Sequence, residues 1–204
     1  MKKLATILKS LNKAHILLLV CGLIGFTASM TLTYDKIQVL KDPTHIPPCS
    51  INPIISCTSA MSSTQSEFMG MPLSVLGVAA YTALITVSLL LVFGVKIPKQ
   101  IWAIIVAVAL VGVLAIHYLI LESIFVLHII CPWCFTVWIT MPLIFLGSCV
   151  GYSTAVLSKR PSLINRLIGF ISSNAVTVAI IWYSLLLIAL LTIFWDFWIS
   201  LIPQ

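Results

Sequence analysis

The sequence predicts an all-α integral membrane protein with five transmembrane helices, an expectation that rests on composition, on the length of its apolar runs and on the placement of its charges. Of 204 residues, 61% are hydrophobic and 8% charged, whereas about a quarter of the residues in soluble domains are charged. Crossing the hydrocarbon of a bilayer takes about 20 mostly apolar residues in a helix. Five stretches qualify: 14–34, 72–95, 100–121, 124–151 and 174–202. Lys and Arg outnumber Asp and Glu by 11 to 5, but they fall in short clusters between the apolar runs. That is the pattern of membrane topology signals, not of a nucleic-acid-binding patch.

Orientation follows from those clusters. Lys2, Lys3, Lys9 and Lys13 precede the first span, Lys96 and Lys99 lie between the second and third, and Lys159, Arg160 and Arg166 lie between the fourth and fifth. With the N-terminus in the cytoplasm all of these are inside, and only Lys36 and Lys41 are outside. The acids Asp35, Asp42, Glu67, Glu122 and Asp196 then sit on the outer side or in its interface, and the C-terminus is outside.

Along the chain, the first span is expected to be a retained anchor, since no small-x-small cleavage site follows Phe26. A lipoprotein site at Leu19, Val20 and Cys21 is disfavoured by the bulky Val before the cysteine. The outer segment, about 35–71, contains Pro43, Pro47, Pro48 and Pro53. It should be extended in its first half and form a short surface helix or lid near 59–69. The third and fourth spans are separated by Leu121, Glu122 and Ser123, which predicts a tight helical hairpin. Residues 152–173 form a cytoplasmic loop, and 174–204 hold the fifth helix and a short tail. Phe194, Trp195, Phe197 and Trp198 read as an interfacial aromatic belt.

This topology sorts the six cysteines. Cys49 and Cys57 lie in the outer segment as C-x7-C, and Cys131 and Cys134 form CPWC in the outer third of the fourth span. Cys21 and Cys149 lie deeper and read as small packing residues. Taken alone, the loop pair would more often be a structural disulfide, and a single CxxC could be half of a metal site. Four cysteines on the side where disulfides persist favour redox chemistry, with no metal. A CxxC on a helix sets its thiols one turn apart on one face, and Pro132 removes a backbone donor there. Two pairs in series form a relay, in which one thiolate attacks a disulfide sulfur and a second resolves the intermediate. The loop pair can reach a soluble partner, and the helical pair sits at the depth of a quinone head group.

Other polar or aromatic residues in the spans are candidates for that site. His128, one helical turn before Cys131, and His117 in the third span are possible thiolate partners or proton donors, with packing as the competing reading. Trp133, Phe135 and Trp138 are candidate pocket walls.

Together these motifs resemble the vitamin K epoxide reductase (VKOR) family in its bacterial, disulfide-generating form. The resemblance covers about residues 14–151: the loop pair Cys49 and Cys57, a lid with Ser62 and Ser63, then Gly70, Pro72, Ser74 and Gly77 entering the second span, and Cys131 and Cys134. It implies a four-helix-bundle catalytic core over 1–151, with the fifth helix peripheral. It also implies that Cys49 exchanges with a thioredoxin-like partner, that Cys57 carries electrons to Cys131, and that Cys134 faces the quinone. Ser63, Trp138 and His128 join Cys134 as quinone-site candidates. The animal enzymes carry an Asn and a Tyr that hydrogen-bond the naphthoquinone; here the matching positions are Leu73 and Trp138. That departure argues against epoxide reduction and for disulfide formation coupled to reduction of ubiquinone or menaquinone, in a bacterial inner membrane with the active site on the periplasmic face. Many bacterial relatives continue into a fused thioredoxin-like domain, whereas this chain stops at Gln204. A separate DsbA-like protein is the expected partner. The DsbB family performs the same net chemistry, but with its CxxC in the first outer loop and the wider pair in the second, the reverse of the order here. A membrane scaffold with a structural loop disulfide leaves CPWC unexplained.

Overall fold

A run of 40 residues without proline, Lys2–Lys41, forms the first helix, α1. It continues beyond Tyr34, where the apolar stretch ends, so residues 35–41 are helical and not the start of an extended segment. Charge alone does not end a helix. Pro43 does, by disfavouring helical geometry at the residue before it. The computed structural model describes residues 2–52, 54–63, 66–68, 70–155, 163–195 and 199. Pro53, Lys159, Arg160, Asp196, Phe197, Trp198 and Gln204 fall outside these.

After an irregular segment come a short helix, α2 (Cys57–Ser62), and a two-stranded antiparallel flap, β1 (Glu67–Phe68) and β2 (Met71–Pro72), pairing Glu67 with Pro72 and Phe68 with Met71. Gly70 supplies the positive φ of 78° in its turn. The expected lid is therefore a helix plus a flap. Helices α3 (Leu73–Val92) and α4 (Lys99–Leu121) follow. Next comes a π-helical turn, Glu122–Leu127. The last helices are α5 (Pro132–Ala155), α6 (Leu163–Ser173) and α7 (Ala175–Ile193).

Among the described residues, five segments are long and apolar enough to cross a membrane: Lys13–Lys41, Leu73–Val92, Lys99–Leu127, Pro132–Ala155 and Ala175–Ile193. The fourth begins at Pro132 and not at 124, which is a correction to the expected hairpin. His128 adopts φ 54°, a left-handed conformation that ends the π-helical turn. Pro132 then starts α5 at a first-turn position where its missing N–H costs nothing. Within the segment expected as a loop, Leu163–Ser173 is helical. It exposes Leu163, Ile164, Leu167 and Phe170 while burying Ile168 against Val106 and Cys149.

The core forms where α1 packs between α3 and α5 and where α4 packs on α5. Leu18, Cys21, Tyr81, Leu91, Trp102, Ala109 and Ile144 are its centre. Cys21 and Cys149 are free, buried thiols in this packing. Helix α7 lies on the outside of α4 and α5. It is fastened by Trp182 Nε1 donating to His117 Nε2 at 2.8 Å and by Tyr183 Oη donating to the Ile139 carbonyl at 2.6 Å. Phe194 is buried beside Leu190 and Trp138 and is no part of an interfacial belt, while Trp195 is exposed.

Close approach of α1 and α3 depends on Gly25, since a Cβ there would fall into the Tyr81 ring. Gly25→Ala should destabilise the protein by about 1–3 kcal/mol through overpacking. Gly169→Ala, where a Cβ would meet nothing within 4 Å, should not. Denaturant titration of the two variants in micelles measures the difference.

Candidate active site

The loop cysteines are held by a set of local hydrogen bonds to short polar side chains. Ser50 Oγ accepts from the backbone N–H groups of Cys57 and Thr58, both at 3.1 Å, and so caps α2. Ser56, the N-cap residue, accepts from Ser59 N at 3.2 Å. Asn52 Oδ1 accepts from Ile54 N at 3.0 Å and Ile55 N at 2.6 Å, forming an Asx turn that aims the chain into α2. Cys49 and Cys57 are joined as a disulfide, with Cα atoms 5.7 Å apart.

A second set of bonds brings this loop to CPWC. Ile55 and Ile130 form an isolated parallel bridge: Ile130 N donates to Ile54 O at 2.7 Å, and Ser56 N donates to Ile130 O at 3.3 Å. The residue after Ile130 is Cys131, and the second residue after Ile55 is Cys57. Their sulfurs lie 3.4 Å apart. Ser123 fixes the other side of the reversal, accepting from Ile129 N at 3.1 Å and donating to the Ile129 carbonyl at 2.5 Å.

Cys131 is the residue just before the fourth span, and its carbonyl accepts the first bond of α5, from Phe135 N at 2.9 Å. The Cys134 side chain donates to its sulfur, which, with the backbone N–H groups of Cys134 and Trp133, holds the Cys131 thiol below the usual cysteine range despite its burial. Donors at a helix N-terminus favour a thiolate in this way. Cys57 and Cys131 are 0% and 1% exposed, whereas Cys49 and Cys134 are only partly buried. Cys49 is therefore the more accessible sulfur of the disulfide. The Asp35 carboxylate, itself buried, lies 3.9 Å from the Cys49 sulfur.

Cys131 and Cys134 open onto a cavity of about 570 Å³ between α3 and α4, which make few close approaches to one another. That volume falls in the range typical of small-molecule sites. Leu, Ile, Val and Ala side chains from Leu76 to Leu119 form most of the wall. Its lining also includes polar groups, among them Glu122, Ser63 and Trp138. Trp138 is 1% exposed, and its Nε1 has no hydrogen-bond partner among the described residues. A buried indole N–H ordinarily has a partner. A ligand oxygen would satisfy it.

The structure brings Cys134, Trp138 and Ser63 together at this cavity. Ser63 Oγ donates to the Ala60 carbonyl at 2.9 Å, while Ser62 is exposed and bonds Thr58 O, so Ser63 is the lid serine that lines the site. His128 is not brought there. The left-handed turn removes it from the helix face of Cys131 and leaves it exposed. His117 is fully engaged: Nε2 accepts from Trp182, so Nδ1 carries the proton and donates to Val113 O at 2.7 Å. Phe135 stacks edge-on against Trp138 at 6.0 Å, and Trp133 packs by Cys57 and Cys131.

The model of the vitamin K epoxide reductase family matches residues 16–149, well over half of the chain. The chain belongs to that family. It is a family of oxidoreductases that use quinones and generally reoxidise thioredoxin-like partners. No curated protein matches the chain.

Within this VKOR-family framework, Asp35 stands beside the loop disulfide and Glu122 on the cavity wall, positions that their use as markers of membrane orientation does not reveal. An ionisable residue inside a span is a functional candidate by default, and that signal was open to use. The geometry also predicts a trapped species. In a Cys134→Ala variant, Cys131 has no second thiol in its motif and faces the Cys57 sulfur at contact distance. A Cys57–Cys131 disulfide with Cys49 as a free thiol should accumulate, read by peptide mapping without reductant.

Proposed function

We propose that the chain is a bacterial disulfide-forming thiol:quinone oxidoreductase, with the four-helix unit of residues 1–151 as its catalytic core and 174–204 as a peripheral fifth helix. The single observation carrying this reading is the contact between Cys131 and the Cys57 sulfur of the loop disulfide, at the mouth of an apolar cavity lined by Cys134. The clusters of Lys and Arg support a cytoplasmic N-terminus and a site on the periplasmic face of the inner membrane.

In this scheme a DsbA-like dithiol attacks Cys49, the exposed sulfur of the pair, and displaces Cys57 as a thiolate. Resolution by the second partner thiol releases the partner as a disulfide and leaves Cys49 and Cys57 reduced. Cys57 attacks Cys131 of an oxidised Cys131–Cys134 pair across the 3.4 Å contact, breaking that disulfide and releasing Cys134 as a thiolate. Attack by Cys49 on Cys57 then restores the loop disulfide and leaves Cys131 and Cys134 as thiols, the arrangement in the structure. A quinone in the cavity, ubiquinone or menaquinone, accepts two electrons and two protons, and Cys131 and Cys134 close to a disulfide. The net reaction converts partner dithiol and quinone into partner disulfide and quinol. Trp138 Nε1 is the donor that orients a quinone carbonyl, with Ser63 at the lid and Leu73 contributing only an apolar wall.

Quinone reduction by the purified protein supplied with a reduced thioredoxin-like dithiol tests this. Wild type should turn over and Cys49→Ala and Cys134→Ala should fail, with a small-molecule dithiol rescuing only Cys49→Ala. Wild type that leaves quinone untouched would sink the reading. Trp138→Phe should raise the KM for quinone by roughly 2- to 12-fold, the effect of one net hydrogen bond of about 0.5–1.5 kcal/mol, with thiol exchange to the partner unaltered in a stopped-flow assay.

A further inference from the structure

Reducing a quinone to a quinol requires protons at its two oxygens, and indole cannot give one up. Trp138 can hold a carbonyl but cannot complete the chemistry. The cavity walls hold few other candidates. Lys36 is committed to Glu67 at 3.1 Å and to the Met61 carbonyl at 2.6 Å, and the Tyr81 hydroxyl is turned to Met141 Sδ at 3.8 Å. Both nitrogens of His117 are bonded, and His128 is exposed on the turn.

Glu122 differs from all of these. It lines the cavity with Cys134 and Trp138, and its Oε1 is buried with no hydrogen-bond partner among the described residues. It is also the first residue of the π-helical turn, a distortion that recurs at functional sites because it redirects side chains that a regular helix would turn away. An uncompensated buried carboxyl oxygen costs stability, and a ligand in the cavity would complete it.

We infer that Glu122 is the proton-transfer residue of the acceptor site, handing a proton to one quinone oxygen while Trp138 holds the other. The inference rests on the quinone-reducing reading above and deepens it. Two thiols, Cys131 and Cys134, lose two electrons and two protons as their S–S bond forms. Both electrons and both protons end on the quinone. Glu122 relays one of those protons from the thiol being oxidised to the quinone oxygen, so the carboxyl finishes as it began.

Three measurements on the purified full chain test this in wild type, Glu122→Gln and Glu122→Asp. They are steady-state quinone reduction, binding of a ubiquinone analogue to the fully oxidised protein by tryptophan quenching, and single-turnover oxidation of a partner dithiol without quinone. Glutamine keeps a hydrogen-bond donor but has no proton to transfer. In Glu122→Gln, kcat should therefore fall by about 100-fold or more, the low end of general acid–base catalysis. Binding and partner oxidation should stay at wild-type levels, and Glu122→Asp should recover part of kcat. A wild-type kcat in Glu122→Gln overturns the role, as does a parallel loss of binding or partner oxidation, which would make Glu122 structural. A wild type that oxidises partner but never reduces quinone defeats the functional reading, and this inference with it.

Discussion

The site depends on two backbone hydrogen bonds, those that pair Ile55 with Ile130. They join a segment between α1 and α2 to one between α4 and α5, far apart in sequence, and they fix the register between them. A shift by one residue would alternate the side chains and turn one sulfur away from the other. In the observed register Cys57 and Cys131 meet at 3.4 Å within a small buried cluster that includes Met61. Burial strengthens these bonds, because an unpaired backbone group inside a membrane protein has no water to turn to.

Irregular backbone needs partners for its free N–H and C=O groups, and the break between α4 and α5 is met by the loop before α2 and adjoins the cavity. A continuous hairpin of two regular helices would have left no free N–H or C=O for Ile54 and Ser56 to bond. The π-helical turn, the left-handed His128 and the Pro132 start to α5 together free Ile130 for the bridge. The same break makes Cys131 the residue that caps α5, where the helix N-terminus favours its thiolate. One interruption thus supplies the residue that pairs with the loop, the donors around the Cys131 sulfur and, through Glu122, a carboxyl on the cavity wall.

The number of spans, their order and the sorting of cysteines were legible because each is a property of composition or local spacing. Runs of Leu, Ile and Val declare a helix in a bilayer whatever their neighbours do. Boundaries were less legible. The continuation of α1 through Asp35 and Lys36 and the start of α5 at Pro132 depend on where proline acts, and hydropathy alone blurred both. The roles of His117 and His128 were not legible at all. One is decided by an indole on α7, 65 residues away, and the other by a backbone dihedral angle. The bridge between Ile55 and Ile130 left no trace either, since two isoleucines in apolar surroundings carry no mark of pairing.

Burial also separates the four sulfurs by access. Cys57 and Cys131 are buried, so the thiol of a folded partner protein cannot attack either directly, and Cys131 and Cys134 lie against an apolar cavity. Cys49 is left as the more accessible sulfur of the loop disulfide, 3.9 Å from the Asp35 carboxylate. Under the proposed reading this asymmetry gives the relay its direction. A partner protein's dithiol can load electrons only through the loop, a lipid-soluble acceptor can remove them only from the cavity, and a direct short circuit between the two is blocked by packing. Thiol exchange by itself is reversible and has no preferred direction. Direction therefore comes from where each sulfur can be reached, which the register of the bridge and the burial of its two cysteines impose.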